Sequence, residues 1–85
     1  IQYDDTDPLF YLRRGLVYAK LNNTQKAIAD MSSAIQVNNQ YAEAWYWRGM
    51  IKARNGMAPC DDLNKARNLG LEAATQAMSK ICNIH

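Results

Sequence analysis

The sequence predicts an all-α fold of antiparallel helical hairpins, with five helices in all. The first observation is an internal repeat: shifted by 34 residues, the chain matches itself without gaps, and Arg48-Gly49 falls on Arg14-Gly15. A period of this length corresponds to one helix–turn–helix unit. The second observation is that apolar residues recur at helical spacing between short turn signals. The third is that Asp, Pro and Gly mark the ends of the periodic segments.

Each element follows from a start or stop signal. Asp7 is expected to cap the first helix, with Pro8 at the first helical position, where its missing N–H is harmless. Gly56 suits the left-handed residue that often follows a helix. The predicted helices run from about Pro8 to Leu21, from the turn Asn22–Thr24 to Val37, from Tyr41 to Asn55, from Pro59 to Gly70 and from Leu71 to Asn83.

The repeat resembles the tetratricopeptide (TPR) family, whose pattern is W-x2-L-G-x2-Y, then A-x3-F, then P. The residues at these positions are Tyr11, Arg14, Gly15, Tyr18, Ala27, Met31 and Ala34 in the first repeat and Trp45, Arg48, Gly49, Lys52, Pro59, Leu63 and Ala66 in the second. Asn39 stands where the proline is expected. A glycine inside a helix costs ~1 kcal/mol relative to Ala, so Gly15 and Gly49 indicate close approach of a partner helix.

The resemblance implies hairpins stacked as a right-handed α–α superhelix. We therefore interpret residues 1–85 as a single TPR-like domain. Its predicted parts are repeat 1 (8–41), a shortened repeat 2 (42–70), a capping helix (71–83) and a remnant of a preceding repeat (1–7). The last interpretation rests on Ile1-Gln2, which matches Ile35-Gln36, and it leads us to expect further repeats upstream.

Several functional classes find little support in the sequence. The formal net charge is +2, and basic residues form no run that would indicate nucleic-acid binding. No apolar stretch approaches the length of a membrane span. His85 is the one histidine, and no phosphate loop, zinc-protease motif or serine with a candidate base occurs. Asp61 and Asp62 point about 100° apart on a helix. We expect no catalytic residues, metal or cofactor, and hence no enzyme.

Cys60 and Cys82 leave three interpretations open. Two reduced, buried cysteines are the favoured one. A disulfide between the fourth and fifth helices is the alternative, and it would require an oxidising compartment. Cys82-x-x-His85 with Cys60 gives three ligands where a structural zinc site needs four. The compartment therefore stays open.

Arg14 and Arg48 occupy equivalent positions, as do Asp30 and Asp62 once a shorter second turn is allowed for. This pattern predicts an ion pair between the two helices of each hairpin. Such pairs stabilise little if they are exposed.

The third helix carries the strongest functional signal. Trp45, Tyr46 and Trp47 sweep about 200° of the helix, so they cannot all face one core. In the TPR family the first helices of successive repeats line a concave groove that contacts ligands. Carried over by position, the resemblance implies a groove of Leu9, Leu12, Arg13, Leu16 and Lys20 from the first repeat and Glu43, Tyr46, Trp47, Met50 and Arg54 from the second.

The resemblance thus implies a non-catalytic scaffold that binds a protein or peptide of unnamed identity in this groove. Chaperone-binding TPR members grip a terminal carboxylate with Lys and Asn, but Leu12, Leu16 and Trp47 occupy the corresponding positions here, so that clamp is not implied. The alternative is a structural or self-associating segment without a ligand groove. A bulky stripe at helical spacing is more often part of a core than a ligand site, which supports this alternative. In that case a homo-oligomer would form through the uncapped N-terminal face.

Overall fold

The computed structural model describes residues 6–82, which form helices and turns and contain no strand. The helices are α1 (Pro8–Lys20), α2 (Thr24–Val37), α3 (Ala42–Arg54), α4 (Cys60–Asn68) and α5 (Glu72–Ala77), and α5 continues as a π-helix (Met78–Cys82). The prediction of an all-α, five-helix fold is confirmed. The expected remnant at Ile1-Gln2 and the tail containing Asn83 and His85 lie outside the described residues.

The ends of α1 and α3 follow the local signals in the sequence. The backbone N–H of Leu9 donates to Asp7 Oδ1 at 2.9 Å, and Pro8 opens the helix. Gly56 has φ 76° after α3, the left-handed conformation that glycine adopts without strain. Pro59 was expected at the first helical position of α4, but it precedes the helix as its N-cap residue.

The last helix differs from the single α-helix predicted over Leu71–Asn83. It keeps α-helical bonding only through Ala77, and the five residues Met78–Cys82 form a π-helix. A π-helical turn is wider than an α-helical one, so the residues along it face different directions from those that the 3.6-residue period assigns. This change falls where the helix ends against α4 at Cys82.

Cys60 and Cys82 form a disulfide, so the favoured interpretation of two reduced cysteines is wrong. The bond joins the first residue of α4 to the last residue of the π-helix, across 22 positions of sequence. The two Cα atoms lie 5.9 Å apart, a normal separation for a bridged pair. The sequence left this undecided because only the packing of α4 against the last helix brings the two helix ends together.

Two core clusters hold the hairpins together. The first lies among α1, α2 and α3 and consists of Leu12, Ala27, Met31, Ala34, Ala44 and Ile51. The second lies between α4 and the last helix and consists of Leu63, Ala77 and Met78, with Tyr46 and Met50 packed against its edge. Because both clusters involve the outer helices α2 and α4, the inner helices α1, α3 and α5 keep one face free of the core.

The two mid-helix glycines allow the helices of each hairpin to approach closely. A Cβ on Gly15 would lie 3.1 Å from Asp30 Cβ and 3.2 Å from the Ala27 carbonyl oxygen. A Cβ on Gly49 would lie 3.0 Å from Leu63 Cγ and 3.1 Å from its Cδ2. These distances are shorter than ordinary carbon contacts, so a side chain at either site would push α1 from α2 or α3 from α4. The close approach inferred from the sequence is confirmed.

Both predicted Arg–Asp pairs are present. Arg14 donates to Asp30 at 2.7 and 2.9 Å, and Arg48 donates to Asp62 at 2.8 and 2.9 Å, each through two nitrogens. The Asp side chains are only 6% and 5% exposed, so the pairs are less accessible to solvent than surface ion pairs. Arg48 also donates to Ser32 Oγ at 3.1 Å and so links α3 to α2. The two-nitrogen geometry fixes the relative position of the paired helices.

Candidate functional site

The inner helices α1 and α3 enclose a groove of about 270 Å³ on their free side. We call it the α1–α3 groove; its lining residues are Leu16, Ala19, Lys20, Trp47, Met50, Ile51 and Arg54. Five of these belong to the groove inferred from the sequence. The lining is apolar at its centre and carries one cation from each helix at its end.

A second hollow, of about 210 Å³, lies between α3 and the last helix, and we call it the α3–α5 hollow. It is lined by Tyr46, Met50, Ala73, Gln76, Ala77, Lys80 and Ile81. Met50 lines both depressions, so they adjoin along α3. Sequence reasoning missed the residues of the last helix because it treated that helix only as a cap. The period of the sequence did not mark this face, because the π-helical residues Met78–Cys82 depart from α-helical spacing.

The three consecutive aromatic residues of α3 point in different directions, as their spacing required. Trp47 lies on the α1 side and Tyr46 on the α5 side, with their rings edge to face at 5.1 Å. Trp45 faces away from the groove: its Nε1 donates to the Asn39 carbonyl at 2.9 Å, and the Arg48 guanidinium lies 5.0 Å from its ring. The aromatic side chains available to a ligand are therefore Tyr46 and Trp47.

Four residues of the inferred groove do not line either depression. Leu12 is 7% exposed and belongs to the first core cluster, so it is not available for contact with a ligand. Leu9, Arg13 and Glu43 are exposed nearer the N-terminal ends of α1 and α3. Applying the family pattern by position assigned a complete helix face to the ligand. Packing against α2 buries part of that face in the core.

Tyr41 marks the charged N-terminal end of this surface. Burial raises the pKa of the Tyr41 hydroxyl, and the negative charges of Glu43 and Asp7 raise it further, while Arg13 opposes them. The acidic groups thus prevail at this end of α1 and α3. The cations Lys20 and Arg54 lie at the opposite end, in the last turns of the same helices.

Among residues 6–82, no three His, Cys, Asp or Glu side chains cluster closely enough to hold a metal ion. Within the same residues, no helix has the length and apolarity needed to cross a membrane. The side chains at the two depressions are apolar, aromatic, amide or cationic.

A sequence model of the TPR repeat matches residues 15–56. This part of the chain belongs to the tetratricopeptide-repeat family. The TPR match extends from Gly15 in α1 through α2 and α3 to Gly56, and so includes Leu16, Lys20, Trp47, Met50 and Arg54.

TPR repeats generally mediate protein–protein interactions and are typically non-catalytic. Searches of curated proteins and of solved structures gave no match. The TPR assignment therefore rests on the family match at residues 15–56 and on the all-helical fold.

Proposed function

We propose that this TPR chain is a non-catalytic scaffold that binds a polypeptide segment on one side of α1, α3 and α5. This is the side that carries the α1–α3 groove and the α3–α5 hollow, and we call it the concave side. The observation that carries the proposal is the pair Tyr46 and Trp47, which line adjoining depressions on one side of α3. Aromatic side chains are common energetic centres of protein interfaces. The adjoining depressions would let an extended or helical segment contact more than one inner helix.

The lining chemistry supports a polypeptide ligand. Leu16, Trp47, Met50 and Ile51 give the α1–α3 groove an apolar floor, and Lys20 and Arg54 supply polar groups at its edge. An apolar centre with a polar rim is the usual composition of a protein-recognition surface. Methionine adapts to different side chains, so Met50 at the junction of the two depressions suits a segment that spans both.

The test uses a display library of random twelve-residue peptides, selected on the intact chain. Trp47→Ala is expected to weaken binding of the selected peptides at least about tenfold, as expected for loss of a central aromatic contact. Met50→Gln is the second variant, because it keeps the length of the side chain but places an amide in the apolar floor. Binding is measured by fluorescence polarisation with labelled peptides.

The control is Val17→Ala, which shortens an apolar side chain that is 54% exposed on another face of α1. This variant is expected to bind like the parent. Thermal unfolding followed by circular dichroism must accompany the titrations, since Trp47 also packs against the first core cluster. If folded Trp47→Ala and Met50→Gln retain the parent affinity, the groove proposal is wrong.

Self-association is the second candidate, and the exposed face of α1 favours it. Val17 and Leu21 are 54% and 70% exposed, whereas Ile51, one period after Val17, is 4% exposed. Among the described residues, the face of α3 that contains Ile51 is therefore buried, whereas the equivalent face of α1, which contains Val17, is exposed. A second copy could cover this face.

Light scattering after size exclusion distinguishes the two candidates. The scaffold proposal predicts a monomer whose mass does not change between dilute and concentrated samples. A dimer that forms at high concentration and is lost in Leu21→Glu would establish self-association, because a charge placed in an apolar contact is poorly tolerated.

A further inference from the structure

We propose that the segment bound by this chain is acidic, with carboxylates placed beside a bulky apolar side chain. The inference rests on the proposed function and specifies the chemistry of its partner. The apolar side chain would enter the α1–α3 groove, and the carboxylates would meet cations at one edge of the concave side. The charges that lead to this inference are unequally distributed along the inner helices.

Each inner helix contributes one cation near its C-terminal end. Lys20 is the last residue of α1, Arg54 is the last of α3, and Lys80 lies in the π-helical continuation of α5. Lys20 and Arg54 line the α1–α3 groove and Lys80 lines the α3–α5 hollow. Helices that alternate in an antiparallel hairpin array run parallel, so these C-terminal ends lie along the same edge. We call these three residues the basic rim.

Within residues 6–82, no ion pair neutralises the basic rim. The ion pairs between residues of the described range 6–82 use Arg14, Arg48 and Lys52, and none of them uses a rim residue. All three rim side chains are exposed. A carboxylate from a partner can therefore approach them without breaking an existing pair.

The helix dipole explains why cations lie in the last turns, but not which side of the helix they occupy. Lys52 is also in the last turn of α3, and it faces α4, where its Nζ lies 3.0 Å from Asp62 Oδ2. Arg54, two residues later, lines the groove instead. The basic rim thus combines the favourable position at the helix end with placement at the ligand surface.

The other end of the inner helices is predominantly acidic, with Arg13 as an opposing cation near Tyr41. Glu43 and Glu72 lie in the first turns of α3 and α5, and Asp7 caps α1. Charges interact appreciably over about 8 Å at physiological ionic strength, so each end acts mainly on its own neighbours. A segment whose carboxylates lie at the basic rim avoids the acidic end, while a basic segment would meet repulsion at the rim. This asymmetry favours an acidic partner in one orientation.

The same random-peptide library provides the test. Peptides selected on the parent are expected to be enriched in Asp and Glu next to a bulky apolar residue. The double variant Lys20→Glu/Arg54→Glu should bind these peptides about tenfold more weakly, since reversed rim charges repel the carboxylates. The charge-matched control is Lys26→Glu/Arg67→Glu, whose changes lie on the outer helices α2 and α4. It should bind like the parent.

The possible outcomes distinguish a failure of the acidic-partner inference from a failure of the groove proposal. Selected peptides that require Trp47 but are not acidic, or that tolerate the rim reversal, overturn the acidic partner and leave the groove proposal intact. Equal weakening by the outer-helix control would attribute the effect to net charge and would also overturn it. If no selected peptide depends on Trp47 or Met50, both proposals fail. Acidic peptides that lose binding only when the rim is reversed support the inference.

Discussion

Reduction of the Cys60–Cys82 disulfide is expected to lower the free energy of unfolding by about 3 kcal/mol, because the bond closes a loop of intermediate length in the unfolded chain. The bridged residues are 22 positions apart. The part of the fold that the bond closes has short helices and a small apolar core. Helix α4 has 9 residues and α5 has 6, and the second core cluster contains three buried residues, Leu63, Ala77 and Met78.

Urea unfolding with and without a thiol reductant measures this contribution. The free energy of unfolding of Cys60→Ser/Cys82→Ser should be low with and without reductant. The free energy of unfolding of the parent should fall to that lower value when reductant is added. Hydrogen exchange should report the largest loss of protection in α5 and its π-helical continuation and a smaller loss in α1 and α2. An unchanged urea midpoint after complete reduction would contradict the prediction.

Asp62→Asn is expected to destabilise the fold by about 2 kcal/mol at neutral pH. Asp62 is bound by Arg48 at 2.8 Å and by Lys52 at 3.0 Å, and its side chain is 5% exposed. Loss of one partner from a buried ion pair costs roughly 3–5 kcal/mol because the remaining charge is left without compensation. The Arg48 and Lys52 side chains are 19% and 28% exposed, so water recovers part of that loss.

The effect of Asp62→Asn should depend on pH in a defined direction. Burial would raise the pKa of Asp62, but hydrogen bonds from Arg48 and Lys52, together with their charges, outweigh burial and lower it below the ordinary 3.8. A carboxylate with a lowered folded pKa contributes stability that is complete above its unfolded pKa and is lost as the pH falls through the folded value. The difference between parent and variant should therefore stay constant from neutral pH to about pH 5 and shrink below about pH 4.

Urea titrations at pH 7 and pH 3 check this dependence. The control is Asp61→Asn, which removes the same charge from the neighbouring exposed residue in the first turn of α4. It should cost only a few tenths of a kcal/mol, the usual size of a helix-dipole contact. Equal effects of Asp61→Asn and Asp62→Asn would show that general charge, and not the ion pair, is responsible.

The repeat and the features tied to its period could be predicted from the sequence. Gly15 and Gly49 indicated close helix approach, and the recurring Arg and Asp predicted both ion pairs. These features could be inferred because each depends on neighbours one helix turn or one hairpin away. The family pattern also included Trp47 and Met50 in the expected groove, and both residues line the α1–α3 groove.

Features that depend on how the last described helix packs against α4 could not be predicted in the same way. The disulfide and the π-helix arise where the last helix meets α4, and no second copy of that contact exists in the repeat pattern. For the same reason Lys80 and Ala73 were not assigned to the concave side. Leu12 was assigned to the groove although it is buried, because the boundary between core and surface on α1 is set by the side chains of α2 and not by period alone.

The divergence of Trp45 and Trp47 gives the protein two optical reporters with separate surroundings. The indole of Trp45 is held by the Asn39 carbonyl and lies beside the Arg48 guanidinium, away from the concave side. The indole of Trp47 lies in the α1–α3 groove, where a bound segment would exclude water from it. In a Trp45→Phe background, tryptophan emission would therefore come from Trp47 alone, and the occupancy of the concave side could be followed without attaching a dye.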